Sequence, residues 1–412
     1  MTRIALLPSS FPPSLGGVEE LSRHLALCLR DAGDQVEVWT GQPDDAAPES
    51  VEVRDGLVVR RLPMPLPATN WSAVRRSTTT GMRTLLSLRS AVAAFHPDVL
   101  HVQCFGPNGT YAAALSRVSG IPLVVTLQGE TVMDDADIFE TSRVLRASLR
   151  FGLRTAAAVT ACSAFTLADA EDRFGLAPGR GRVIPNGVDL AGTDHGGTAL
   201  TPEATSPLVS DRPYIFALGR VVEKKGFDLL LAAFAAMDPE HRTTDLVIAG
   251  TGASLEDLRQ DAIALGVAPH VHFVGKLNRE AVAAAMAGAE LFVMPSRLEP
   301  FGIVVLEAWR AGVAVVATTH GGPPEFVHDG HDGVLVDPFD TGSFAVVLQK
   351  LLSDADHRRA LAEAGRLSAE AFAWPSIARR YQQVYASVTG TETDGGGGDV
   401  PPSRSHRGES VR

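Results

Sequence analysis

Cysteine is scarce in this chain, with three in 412 residues. Cys28, Cys104 and Cys162 are scattered, with no Cys-x-x-Cys pair. Each sits among apolar neighbours and reads as a small buried hydrophobe, which fits a reduced, cytosolic setting. No run of about 18 apolar residues is present, so no membrane-spanning helix is expected. The apolar stretch near the start, Ile4–Leu7, is too short for a signal peptide and reads as a first strand. Basic residues are outnumbered 37 to 48, for a net charge of −11. That balance disfavours nucleic acid as the main partner, though not a local basic face.

What is present is ample core for more than one domain. Hydrophobic residues make up 45% of the chain and charged residues only 21%, and the length argues for two domains. Short apolar runs alternate with amphipathic helical stretches, the pattern of parallel α/β sheets. In the first half the strands are expected at Ile4–Leu7, Val36–Trp39, Leu57–Arg61, Val99–Val102, Leu123–Thr126, Ala157–Ala161 and Arg182–Ile184. A polar stretch rich in Gly, Thr, Pro and Ser follows, and the pattern restarts at Tyr214. The expected organisation is a first Rossmann-like domain over 1–188, a linker over 189–212, a second such domain over 213–372 and a closing helix over 373–388. Residues 389–412 carry Gly395–Gly398 and two prolines; this tail cannot bury a core and is expected to be disordered.

The most informative segment is Arg297-Leu-Glu299-Pro-Phe301-Gly302-Ile303-Val304-Val-Leu-Glu307. It follows the strand-like run Leu291–Met294, breaks at Pro300 and Gly302, and continues as a helix. Glu299 then lies on a loop at a strand end and Glu307 about one turn into the helix. A helix start after a parallel strand offers free backbone amides to an anion. Carboxylates beside such a site suit a ligand carrying both hydroxyls and phosphates. On spacing alone, a pair of unrelated glutamates is an equally good reading.

Other stretches tilt the balance. Gly16-Gly17-Val18-Glu19 follows the first strand, and Ile184-Pro-Asn186-Gly187-Val-Asp189 ends the first half. Gly219-Arg220-Val-Val-Glu-Lys224-Lys225-Gly226 follows the first strand of the second half. Ala249-Gly250-Thr-Gly252, His272-Phe-Val-Gly275-Lys276 and Trp374, Tyr381 and Tyr385 of the closing helix come later. In this order and spacing they resemble the retaining GT-B glycosyltransferases of the family 4 type, over about residues 1–388.

The resemblance implies a metal-independent hexosyl transfer from a nucleoside diphosphate sugar, UDP-sugar being favoured, with no cofactor. It implies Arg220, Lys225 and Glu299 as catalytic residues. Lys224 is expected to be a solvated neighbour. Donor contacts would come from Gly16, Gly17, Gly275, Lys276, Phe301, Gly302, Ile303, Val304 and Glu307. Fixed cations would replace the metal of a DxD motif; Asp135-Ala-Asp137 and Asp354-Ala-Asp356 do not close hydrophobic strands. The acceptor side is expected to hold Gln128, Glu130, His101 and Asn108, with Glu130 the alternative base; for His101, at a strand end, packing or positioning is the commoner role. Relatives commonly place a His where Gln128 stands, and an amide cannot act as a base. The acceptor itself, a sugar, lipid or small molecule, is not legible. A nucleotide-sugar epimerase and a non-catalytic nucleotide-sugar binder are the alternatives; a dehydrogenase is disfavoured because Gly250-Thr-Gly252 lacks a third placed Gly. Arg143, Arg146, Arg150 and Arg154 form a helical stripe which, with Trp71, Arg75 and Arg76, could meet anionic lipid or a phosphorylated acceptor; a solvated face is the plainer reading. His328-Asp-Gly-His331 reads as a Gly-rich turn, not as a metal site.

Overall fold

The computed structural model describes residues 1–14, 16–42, 49–65, 71–134, 137–190, 212–239 and 243–390, with side chains outside 71–80. Residues 191–211 of the expected linker, residues 391–412 of the expected tail, Asp135, and the side chains of Trp71, Arg75 and Arg76 lie outside this description.

The alternation of apolar runs and helices builds two sheets. The first holds β1 (Arg3–Pro8), β2 (Gln35–Gly41), β3 (Ser50–Arg54), β4 (Leu57–Leu62), β5 (Val99–Gln103), β6 (Leu123–Leu127), β7 (Ala158–Ala161) and β8 (Gly181–Val183), in the order β3-β4-β2-β1-β5-β6-β7-β8. All its pairs are parallel except β3–β4. The second holds β9 (Tyr214–Leu218), β10 (Asp245–Ala249), β11 (Val271–Gly275), β12 (Leu291–Met294), β13 (Val315–Thr318) and β14 (Val334–Val336), ordered β11-β10-β9-β12-β13-β14 and parallel throughout. In both sheets the strand order reverses beside the first strand, and ligands of such sheets bind beyond the C-terminal strand ends at that switch. The loops after β1, β9 and β12 are therefore the ones that matter.

Apolar spacing sets the helices. Leu21, Leu25 and Leu29 are buried on one face of Gly17–Asp31. The closing helix Trp374–Thr389 packs on that face through Trp374, Ile377, Tyr381 and Tyr385. Each such burial contributes about 1.5–3 kcal/mol. Backbone pairing brings the chain at Val188 beside the entry to this helix: Val188 N donates to Phe372 O at 2.8 Å, and Trp374 N to Val188 O at 3.3 Å.

Three expectations change. β3 is an addition to the expected strands; Val51-Glu-Val-Arg alternates and Asp55-Gly56 is a hairpin turn. His101 and Asn108 are not free for an acceptor. His101 is 0% exposed; its Nε2 bonds Thr126 Oγ1 at 2.8 Å and its Nδ1 bonds the Tyr385 hydroxyl at 2.7 Å. Thr126 continues to Thr160 at 2.6 Å. His101 thus joins the closing helix to the first sheet. Asn108 is also buried: its Nδ2 donates to Leu7 O and Cys104 O, and its Oδ1 accepts from Gly106 N. It ties the β5 loop to β1.

The His101 joint has a pH signature. Burial pushes its imidazole from 6.5 down to about 3, so the folded chain holds it neutral while the unfolded chain takes up a proton near 6.5. Its stabilisation is whole above about 6.5 and is lost as pH falls toward 3. We expect His101→Gln to lower Tm at pH 8 yet give a shallower fall in Tm from pH 6.5 to 4.5 than the native chain. Parallel Tm profiles would refute the assignment.

Candidate active site

The loop after β12 forms the heart of a pocket. Lys225, Glu299, Gly302, Ile303 and Val304 line it, together with Leu218, Gly219, Phe227, Met294, Pro295 and Ser296. Glu299, only 7% exposed, places Oε2 at 2.7 Å from Lys225 Nζ and accepts from Ser296 Oγ at 2.9 Å. Its backbone is clamped on both sides, with Glu299 N donating to His320 O and Gly322 N to Glu299 O. The carboxylate and ammonium are thus fixed before any ligand arrives. Ser296 was not singled out from the sequence; its place directly after a strand-end proline, three before Glu299, was the available signal.

Gly302 begins the helix Ile303–Ala311 at φ +94°. A Cβ there would approach Met294 Cε to 2.8 Å, so only glycine turns the chain sharply enough to aim the first helical amides at the pocket. Phe301 has its ring in the core, stacked on Phe326 at 4.8 Å; only its backbone is available to a ligand. Glu307 is half-buried further along the helix. Burial raises its carboxyl above the usual range, opposed by the fields of Arg310 and Arg279.

Arg279 also pairs with Glu20, on the helix that Gly16 and Gly17 open. This brings the exposed Gly16-Gly17 turn toward the Glu307 side of the second domain. Gly275 ends β11, at the sheet edge, and Lys276 follows it. Gly275 accepts a bond from Gly250 N at 2.7 Å, and Lys276 is exposed. They do not line the pocket that holds Lys225 and Glu299. Arg220 does not line it either; its Nη2 reaches across to Met133 O at 2.9 Å. Lys224, expected to be solvated, instead bonds Val132 O, Asp134 O and Asp137.

Gln128 directly follows β6 on the facing wall. Its Oε1 accepts from Asn186 Nδ2 at 3.0 Å, and its Nε2 donates to Gln103 Oε1 at 3.1 Å. One N–H and one lone pair of its amide are left for a ligand. Gln103 and Asn186 were not identified from the sequence as its partners. Glu130 is occupied otherwise: Oε1 accepts from Phe105 N at 2.5 Å and Oε2 from Gln128 N at 2.6 Å. Burial nonetheless pushes its carboxyl up to about 7. The residue holds two strand-end loops together. Between these walls Gly129, at φ +84°, meets Pro300 so closely that a Cβ would lie 2.2 Å from the proline ring.

The outward face of Arg143–Thr155 carries the arginine stripe, with Leu145, Leu149 and Leu153 buried behind it. Asp354 caps the helix Ala355–Ser368 through His357 N at 2.9 Å. His328 pairs with buried Asp332 within its turn. Among the described residues no group of three His, Cys, Asp or Glu is arranged to hold a metal, and no helix is long and apolar enough to cross a membrane.

Residues 15–191 match the family model described as Glycosyltransferase Family 4, and residues 203–368 match that of Glycosyl transferases group 1. A D-inositol 3-phosphate glycosyltransferase of Nocardioides sp. is 30% identical over 396 residues, covering 89% of this chain and 83% of the relative. A glycogen synthase of Mycobacterium tuberculosis is 28% identical over 407 residues, with 94% and 95% covered. Among solved structures, sucrose-phosphate synthase from Thermosynechococcus elongatus superposes with a TM-score of 0.76 at 23% identity, covering 95% of this chain and all of that one. HepE of Anabaena, bound to UDP and glucose, gives 0.73 at 21% identity, covering 94% of this chain and all of that one. The two parallel-sheet domains, the site at their strand ends and these matches place the chain in the family 4 type of GT-B glycosyltransferases, as a hexosyltransferase.

Proposed function

We propose that the chain moves a hexosyl group from a nucleoside diphosphate sugar, UDP-sugar before GDP-sugar, to an acceptor hydroxyl with retention and without a bound metal. The observation that carries this is the fixed Lys225–Glu299 pair beside the helix start at Gly302, at 2.7 Å. A cation and free amides suit the departing diphosphate, and a clamped carboxylate suits sugar hydroxyls. Arg220 would add a second charge, Glu307 would accept from the ribose, and Gly16-Gly17 would bring backbone amides to the phosphates across the cleft. Gly275 and Lys276 would meet the base. In a front-face transfer the bond from the anomeric carbon to the phosphate oxygen breaks and the bond to the acceptor oxygen forms on the same side. The acceptor proton goes to the leaving phosphate, so no side-chain base is required.

The UDP preference is supported by HepE, whose structures hold UDP and UDP-glucose. A mycobacterial relative named for GDP-mannose is 36% identical, but over only 54% of this chain and 60% of the relative. The acceptors in the relatives' names include inositol phosphates and phosphatidylinositol mannosides, so a polar or lipid-linked polyol is the class to test first. A thermal-shift screen of UDP- and GDP-sugars, followed by mass spectrometry of acceptor mixtures and NMR of the product linkage, tests the reading. A product of inverted configuration, or sugar release that no acceptor captures, would overturn it.

Gln128 is proposed to orient the acceptor hydroxyl through its remaining N–H. Gln128→Ala should raise the acceptor KM and lower kcat moderately with nucleotide affinity unchanged, whereas Gln128→His should retain activity. Loss of UDP binding in Gln128→Ala would contradict this placement.

A further inference from the structure

Besides Arg220, which donates to Met133 O at 2.9 Å, two charged side chains of the second domain that stand outside the proposed catalytic set reach main-chain groups of the first. Lys224, in the turn after β9, donates to Val132 O at 3.2 Å and Asp134 O at 2.6 Å, and meets Asp137 Oδ1 at 2.8 Å. Val132 lies at the end of the one-turn helix Glu130–Met133, whose last carbonyls have no following turn to bond them. Three oxygens match the three N–H groups of an ammonium. On the other flank Glu325, in the turn after β13, accepts from Ala164 N at 2.7 Å and Phe165 N at 2.8 Å. These amides open the helix Ala164–Phe174 and are left over because the Ser163 cap takes Thr166 N. A carboxylate there also meets the positive end of an eleven-residue helix.

Neither side chain lines the pocket, yet together they grip the cleft at two separate points. Lys224 stands between Arg220 and Lys225 on one short loop. Fixing Lys224 fixes that loop, and Arg297 N donating to Lys224 O at 3.0 Å passes the restraint to the strand end that bears Glu299. We infer that Lys224 and Glu325 are positioning residues, a two-point clasp that sets the width of the cleft and the register of the phosphate loop against the acceptor wall. The clasp depends on the proposed function only for its kinetic consequence.

The test is therefore built on readouts that need no substrate. In the full chain, Lys224→Met and Glu325→Ala are compared singly and together, with Lys224→Arg as the conservative variant. Small-angle scattering should show the double variant enlarged by about 1 Å over a native radius of gyration of roughly 22 Å. Hydrogen exchange at Ala164 and Phe165 should quicken tenfold or more in Glu325→Ala. It should quicken also in Lys224→Met, which touches neither amide, and stay native in Lys224→Arg. A purely local role for Lys224 would leave those two amides unmoved. Native dimensions in the double variant, or unchanged exchange at Ala164 and Phe165 in Lys224→Met, would overturn the clasp. A chain that transferred no sugar would leave both readouts as they are, so the two failures can be told apart.

Discussion

Lys225→Ala should lower kcat about 100-fold, the usual scale for removing one preorganised donor at developing charge, while activity survives EDTA. The diphosphate gains negative charge as the glycosidic bond breaks, and something must already be in place to receive it. Lys225 is held at 2.7 Å from Glu299, and both side chains are largely shielded from water. Shielding strengthens the attraction for phosphate relative to bulk water. The pairing also means that the ammonium needs no reorganisation when the donor binds. Arg220→Ala should cost a similar factor; its guanidinium now caps Met133 O and would be shared with, or yielded to, the phosphates. Lys225→Arg should recover only part of the rate, because a planar fork does not fit a site built for a compact ammonium. Steady-state kinetics with and without EDTA decide the matter. Activity that vanishes in EDTA and returns with Mn²⁺ would sink the metal-free reading.

How much of this was legible depended on whether the determinant was local. Strand–helix alternation repeats within a dozen residues, so most strands and helices of both sheets could be read, as could the turn at Gly302. β3 is harder to read because its five residues form an edge hairpin amid parallel units, where a short alternating pattern resembles a loop. The Glu299–Glu307 spacing was local too, and the structure brings Glu299 to Lys225 as an ion pair. What could not be read were partners far apart in sequence. Nothing in the sequence links His101 to Tyr385, 284 positions away, so a strand-end His can be assigned a positioning role in general but not the partner that it positions. Lys224 and Lys225 are adjacent lysines that face opposite ways: one reaches across the cleft and one turns into the pocket. Composition cannot separate them, because the distinction is made by the turn at Gly226, where φ is +66° and a Cβ would strike Pro295 O. Asn108 and Glu130 show a related effect. Polar residues in strand-end loops look like ligand contacts until the open backbone groups around them have been counted.

Glu299→Ala and Glu307→Ala should fail in different ways. Glu307 is the proposed ribose contact, so its loss should weaken UDP and UDP-sugar together, by about tenfold for a lost charge-assisted hydrogen bond. Glu299 is the proposed contact to the transferred sugar and the counter-ion of Lys225. Glu299→Ala should leave UDP affinity within a few-fold of native, since the freed ammonium still meets phosphate, while kcat falls about 100-fold or more. Glu299→Gln should have a kcat between those of the native enzyme and Glu299→Ala, because an amide keeps one acceptor oxygen but cannot neutralise Lys225. The raised carboxyl of Glu307 adds a pH test. Only the ionised form presents both oxygens as acceptors, so UDP affinity of the native enzyme should decline as pH falls through that raised value. In Glu307→Gln, which does not titrate, this limb should be missing. Calorimetry with UDP alone, across pH and in all four variants, separates the roles. An equal loss of UDP affinity in Glu299→Ala and Glu307→Ala would show that the carboxylates act as one unit and would remove the division between ribose and sugar.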